Sequence, residues 1–151
     1  MLGRIVRKIK TFFYKLFNPR FKKCIFYDIP KIYFKKKCKI GKNTTINDSI
    51  FINACGQVEI GDNCVLSHGT TILSTGLKNE QWLIRDFSID QHISEKIHIG
   101  DNVWLCANTT ICPGVNIGDN TIIAAGAVVV SDCESGYLYG GIPAKKIRSL
   151  Q

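Results

Sequence analysis

The chain has 151 residues, with 20 Lys and Arg against 12 Asp and Glu and a formal net charge of +8. That length is one domain's worth, and a 45% hydrophobic composition excludes a disordered or fibrous chain. No apolar run approaches the roughly 18 residues of a membrane-spanning helix, and the basic N-terminus lacks the apolar and small-residue pattern of a secretory signal. The seven cysteines, odd in number and without a CxxC pair, therefore read as reduced cytoplasmic thiols and not as a disulfide framework.

The charge is unevenly placed. Residues 1–38 carry twelve Lys or Arg and one acid, Asp28, for +11, whereas residues 39–151 carry eight bases and eleven acids, for −3. The first segment also holds nine of the fifteen aromatic residues. Residues 2–17 read as an amphipathic helix, with Leu2, Ile5, Val6, Ile9, Phe12, Phe13, Leu16 and Phe17 on one stripe. Asn18-Pro19 ends it. Two readings of residues 1–38 stand side by side. The basic aromatic composition suits an interfacial segment on an anionic membrane, peripheral on its inner face. The apolar stripe equally suits packing on the side of the fold or between copies. Nothing else supports nucleic-acid binding.

From residue 39 onward the chain is a repeat. IGKNTT, IGDNCV, IGDNVW and IGDNTI each start an aliphatic series spaced by six: Ile40, Ile46, Ile52; then Ile60, Leu66, Ile72; then Ile99, Leu105, Ile111, Ile117, Ile123, Val129. The residue four after each is mostly small or β-branched, as at Thr44, Cys64, Thr70, Val103, Thr109, Val115, Thr121, Ala127 and Cys133. A period of six is neither a helix nor a plain alternating strand. It suits a coil of three flat faces in which three successive hexapeptides make one rung and stacked rungs bury an aliphatic column. Cys64 and Cys133 fall on small inward positions, and Cys106 and Cys112 on small positions after an aliphatic one, where Cys serves as a compact hydrophobe.

Two breaks interrupt the period. The step from Ile52 to Ile60 is eight, which predicts a bulge or turn near Gly56-Gln57. Between Ile72 and Ile99 the repeat stops, giving a loop excursion at about 75–97, and long excursions on rigid scaffolds are often functional. The coil closes at 132–136, and YLYGGIPAKKIRSL reads as a turn leading to a short C-terminal helix or cap.

The stretches IGDNCVLSHGTTILSTG, IGDNVWLCANTTICPGVNIGDNTIIAAGAVVVSD and GGIPAKKI resemble the hexapeptide-repeat acyltransferases, and among them the sugar O-acetyltransferases acting on maltose, galactosides and surface polysaccharides. The resemblance covers about residues 39–150. It implies a left-handed parallel β-helix, a homotrimer with active sites between neighbouring subunits, acetyl-CoA as donor, and a hydroxyl of a sugar or glycan as acceptor. No metal is expected.

Moving an acetyl group from a thioester to a hydroxyl needs a base for the hydroxyl proton and donors for the developing oxyanion. The chain has three histidines: His68, His92 and His98. In galactoside-type relatives the base follows the STG-like turn directly, but here that position is Leu77. His92, within the excursion, is read as the general base, with Asp90 or Glu95 available to orient it. His68 and His98 are the alternatives. The resemblance places Trp104 near the acceptor and pantetheine cleft, and Asn53 where relatives contact the acceptor sugar. Trp82 either closes over a substrate or anchors the loop. Ala107 and Ala125 occupy small positions where the pantetheine arm runs, and Lys145 and Arg148 match a basic pair for CoA phosphates.

Other activities sit on the same scaffold: N-acetylation of an amino sugar nucleotide, a zinc hydratase, or a non-catalytic trimeric scaffold. LSHGTTI is similar to the first ligand motif of the hydratases. However, Leu73 stands where a second ligand belongs, and zinc needs three placed nitrogens.

Overall fold

The computed structural model describes residues 2–78 and 91–151. Short strands stack in register as three parallel sheets, the faces of a β-helix of about five turns. The first face stacks Ile25–Phe26, Thr45–Ile46, Val65–Leu66, Trp104–Leu105, Ile122–Ile123 and Tyr137–Gly141. The second stacks Lys31–Tyr33, Phe51–Asn53, Thr71–Leu73, Thr110–Ile111 and Val128–Val129. The third stacks Cys38–Ile40, Val58–Ile60, Ile97–Ile99 and Asn116–Ile117. All twelve aliphatic positions of the six-residue series are buried, and so are the nine small or β-branched positions that follow them. These two sets form the column, each fully buried Ile or Leu contributing about 1.5–3 kcal/mol of transfer free energy.

The recurring Gly-Asp-Asn motif is explained at the corner between the third and first faces. A Cβ on Gly41 or Gly61 would meet the backbone carbonyl of the next coil at 2.4 or 2.6 Å, so the close approach requires glycine. Asp62 Oδ1 accepts the amide of Lys42, Asp101 Oδ1 that of Asp62, and Asp119 Oδ1 that of Asp101, each carboxylate capping the coil before it. Asn43, Asn63, Asn102 and Asn120 hold φ between 55 and 57°, the left-handed conformation Asn tolerates best after Gly. Their amides ladder from coil to coil, with Asn102 Nδ2 donating to Asn120 Oδ1 at 2.8 Å.

Register records the two breaks. Leu105 pairs with Ile123, three whole hexapeptides later, whereas Ile46 pairs with Leu66, because each early coil makes its second turn longer than the hexapeptide rule requires. In the second coil that turn holds Gln57 at φ 83°. Leu66 pairs directly with Leu105 across the whole excursion, which leaves the column and returns without disturbing it. Its base is a hairpin in which Thr75–Leu77 runs antiparallel to His92–Ser94.

The coil begins earlier than the hexapeptide pattern. Phe26 pairs with Ile46 and Ile32 with Ile52, so residues 25–40 make a first rung. Phe21, Cys24 and Ile32 are buried in the core, which removes part of the basic aromatic segment from any outer surface. At the other end, the expected short helix or cap is a β-hairpin: Ala144–Ser149 folds back antiparallel on Tyr137–Gly141. Tyr137 and Tyr139 favour a strand, and Gly140, Gly141 and Pro143 favour a turn over a helix. The helix α1, Leu2–Phe17, precedes the first rung.

Candidate active site

The corner between the first and second faces is a column of short turns. Gly69 N donates to Asp48 O, Asn108 N to His68 O and Gly126 N to Ala107 O, which stacks Asp48, His68, Ala107 and the Ala125-Gly126 turn along one edge. Ala107 is half-buried and Ala125 exposed. Gly126 has open space at its Cβ position. Ala107 and Ala125 thus set one-carbon side chains at two turns of this edge.

Trp104, on the first face, is 47% exposed. Its indole N–H donates to Ser67 Oγ at 3.0 Å, one coil away. His68 Nδ1 lies 3.0 Å from Asp48 Oδ2, also one coil away. That hydrogen bond holds the Asp48 carboxyl below its ordinary range. Asp48 escaped sequence reading because its partnership with His68 arises only from the stacking of one lengthened coil on the next.

On the last strand, Lys146 is committed to Glu134 at 2.7 Å and lies 4.1 Å over the Tyr137 ring. Lys145 and Arg148 are exposed, and neither has a carboxylate partner among the described residues. They are the cations at this end that remain available to phosphate.

His92 stands elsewhere. The excursion leaves from the second face and returns to the third, so its hairpin occupies the edge opposite the first face. There His92 is the direct cross-strand partner of Leu77, and both side chains are exposed. Glu95, a candidate to orient it, lies instead over Gly114, where a Cβ would come within 2.5 Å of its carboxylate. Asn53 is half-buried near the base of this hairpin, its Oδ1 accepting from Cys55 N at 3.1 Å. His98 is exposed on the third face between Glu59 and Asn116, away from both groups. Trp82 and Asp90 lie outside the described residues.

The structure thus brings together Trp104, His68, Ala107 and Ala125 on one edge and separates them from His92. Burial pushes the thiols of Cys24 and Cys133 up to about 11 and that of Cys38 to about 12, which makes them poor nucleophiles at neutral pH. Among the described residues no three His, Cys, Asp or Glu side chains gather as metal ligands.

Comparison with known proteins places this architecture. The hexapeptide repeat of succinyl-transferases matches residues 36–74, and the bacterial transferase hexapeptide (six repeats) matches residues 96–131. Galactoside O-acetyltransferase of Escherichia coli K12 is 33% identical over 123 residues, 80% of this chain and 59% of the relative. A putative colanic acid biosynthesis acetyltransferase of the same organism is 26% identical over 146 residues, 96% of this chain and 77% of the relative. A hexapeptide-repeat acetyltransferase from Vibrio cholerae, crystallised with acetyl coenzyme A, superposes with a TM-score of 0.77 at 30% identity, over 85% of this chain and 68% of that one. The chain belongs to the hexapeptide-repeat transferase family. It spans about three fifths of the length of the galactoside enzyme it matches.

Proposed function

We propose that the chain is an acetyl-CoA-dependent O-acetyltransferase whose acceptor is a hydroxyl of a sugar in a surface polysaccharide, a lipooligosaccharide or one of their precursors, with His92 as general base. The observation that carries this reading is the pairing of His92 with Leu77. Leu77 follows the STG turn, where galactoside-type enzymes keep their base. Residues directly opposite in an antiparallel pair project from the same side with Cβ atoms about 5 Å apart. An imidazole on the second strand therefore reaches the space an imidazole on the first would fill. The galactoside and colanic acid relatives and the acetyl-CoA complex support the same acceptor class and donor.

In this reading a neutral His92 nitrogen takes the acceptor hydroxyl proton as the oxygen attacks the thioester carbonyl carbon. The tetrahedral intermediate then collapses, the C–S bond breaks, and the imidazolium returns the proton to the CoA thiolate. Transfer is direct, with no acetyl-enzyme. The edge that carries Ala107 and Ala125 takes the pantetheine arm, Lys145 and Arg148 take the phosphates, Trp104 walls the cleft and Asn53 meets the acceptor.

His92 and Trp104 lie on opposite sides of one prism, so a site that uses both is assembled from two copies. A closed homotrimer satisfies this three times by one operation. The test follows CoA release from acetyl-CoA against galactosides, maltose, nucleotide sugars and lipid-linked glycans. Acetylation of a sugar hydroxyl, lost in His92→Ala, supports the proposal. Transfer only to amino sugars, or full activity in His92→Ala, overturns it.

A further inference from the structure

The helix α1 meets the rest of the molecule by the wrong face for an ordinary amphipathic helix. Among the described side chains Tyr14, from its polar side, is the one it buries: the ring stacks on Phe21 at 6.3 Å and meets Phe26 edge-on at 5.4 Å. Lys35 Nζ lies 5.0 Å over Tyr14 and Lys15 Nζ 5.7 Å over Phe26, while the charge of Arg7 bears on Asp48. The polar side is thus the attached side.

The apolar side is left open. Ile5, Val6, Ile9, Phe12, Phe13, Leu16 and Phe17 are all exposed, Phe12 by 64% and Phe17 by 76%. At about 3.6 residues per turn these positions fall in one unbroken stripe about 140° wide, with Lys8 flanking one border and Lys10 the other. A cavity of about 320 Å³ beside it is lined by Phe12, Lys15, Leu16, Pro19 and Lys22. Eight Lys and Arg precede the first acid, Asp28, and Lys35, Lys36 and Lys37 lie at the same end of the coil.

We propose that α1 is an interfacial anchor that lays its apolar stripe into the headgroup–acyl boundary of an anionic phospholipid surface. The exposed apolar stripe supplies the insertion, and flanking lysines reach back to lipid phosphates with their methylene stems buried. Charge selects lipid over a second copy of the chain, because two such surfaces brought face to face juxtapose like charges and no carboxylate. This inference refines the membrane reading of residues 1–38 to residues 2–17, since Phe21 and Ile32 are core, and it stands independently of the transferase reading.

The test is co-sedimentation of the full chain with vesicles of phosphatidylglycerol and phosphatidylcholine in equal parts, and with phosphatidylcholine alone. Binding to the mixed vesicles is expected to exceed binding to the neutral ones by about tenfold or more and to fall with added salt. Ile9→Asp/Phe13→Asp should abolish it while leaving the circular dichroism and melting of the β-helix unchanged. Introducing Phe13→Trp should give an indole whose emission shifts blue on vesicle addition. Failure of the parent chain to bind either vesicle overturns the proposal. So does a fall in oligomer size in Ile9→Asp/Phe13→Asp together with unaltered vesicle binding, which would assign the stripe to a second copy.

Discussion

The Trp104 indole donates to the Ser67 hydroxyl across one coil at 3.0 Å, so a half-exposed ring is held at a fixed angle on the outside of the β-helix. If that ring walls the donor cleft, its orientation matters more than its bulk. Trp104→Ala should lower kcat/KM for acetyl-CoA by about tenfold or more, since loss of positioning is costly. Ser67→Ala, which only frees the ring, should cost less than about tenfold, the value of one hydrogen bond. Neither change should shift the melting temperature by more than about 3 °C. Steady-state kinetics and a thermal melt on both variants check this.

The Leu77–His92 pair allows a relocation experiment. His92→Ala should reduce kcat by about 10²–10⁴ with little change in KM, as expected on losing a general base. Leu77→His on that background should recover at least about tenfold, because the imidazole returns to the same side of the hairpin one strand over. His68→Ala should stay within about threefold of the parent. A loss in His68→Ala as large as in His92→Ala would move the base to the Asp48–His68 pair.

Glu59 is bridged by Lys39 at 2.9 Å and by Lys96, and these two ammonium groups hold its carboxyl at about 2 instead of 4.5. A depressed carboxylate stabilises the folded state above its unfolded pKa, and that contribution is lost as pH falls through the folded value. The stability gap between the parent and Glu59→Gln should therefore be constant above pH 4.5 and close progressively toward pH 2. Because the bridges lie near the surface, the gap should be about 1 kcal/mol or less and should shrink in salt. Chemical denaturation across this pH range checks it.

Asn102 sits at φ 55° in the corner ladder. Asn102→Ala should cost about 1–2 kcal/mol, from left-handed strain plus the lost amide bond to Asn120. Asn102→Gly removes the bond but not the permitted conformation, so it should be the milder change. Urea unfolding of both variants measures the order.

Most of the fold was legible because the six-residue period is a direct image of the coil. Ile99 through Val129, read as two uninterrupted rungs, lie in the column with the three-hexapeptide offset that the period implies. The first rung was hidden because Phe26 and Ile32 have the right spacing but sit among lysines and other aromatics, so composition masked period. The C-terminal hairpin was missed because it follows no hexapeptide rule. Individual candidate residues were legible and their grouping was not. His68, Trp104 and Ala107 share an edge through hydrogen bonds that join one coil to the next, between positions far apart in the chain, and His92 reaches Leu77 only by the return of the excursion.

A stack of parallel coils has no natural last member, since each rung presents a fresh row of amides and carbonyls to whatever comes next. Here the first face is closed by a reversal of the chain. Ala144–Ser149 runs against Tyr137–Gly141, and this final strand carries Lys145, Lys146 and Arg148. A second molecule approaching end-on would meet a strand of opposite polarity studded with cations, and pairing there is disfavoured. On the first face the hairpin thus replaces a parallel edge that would template another coil with one that runs against it.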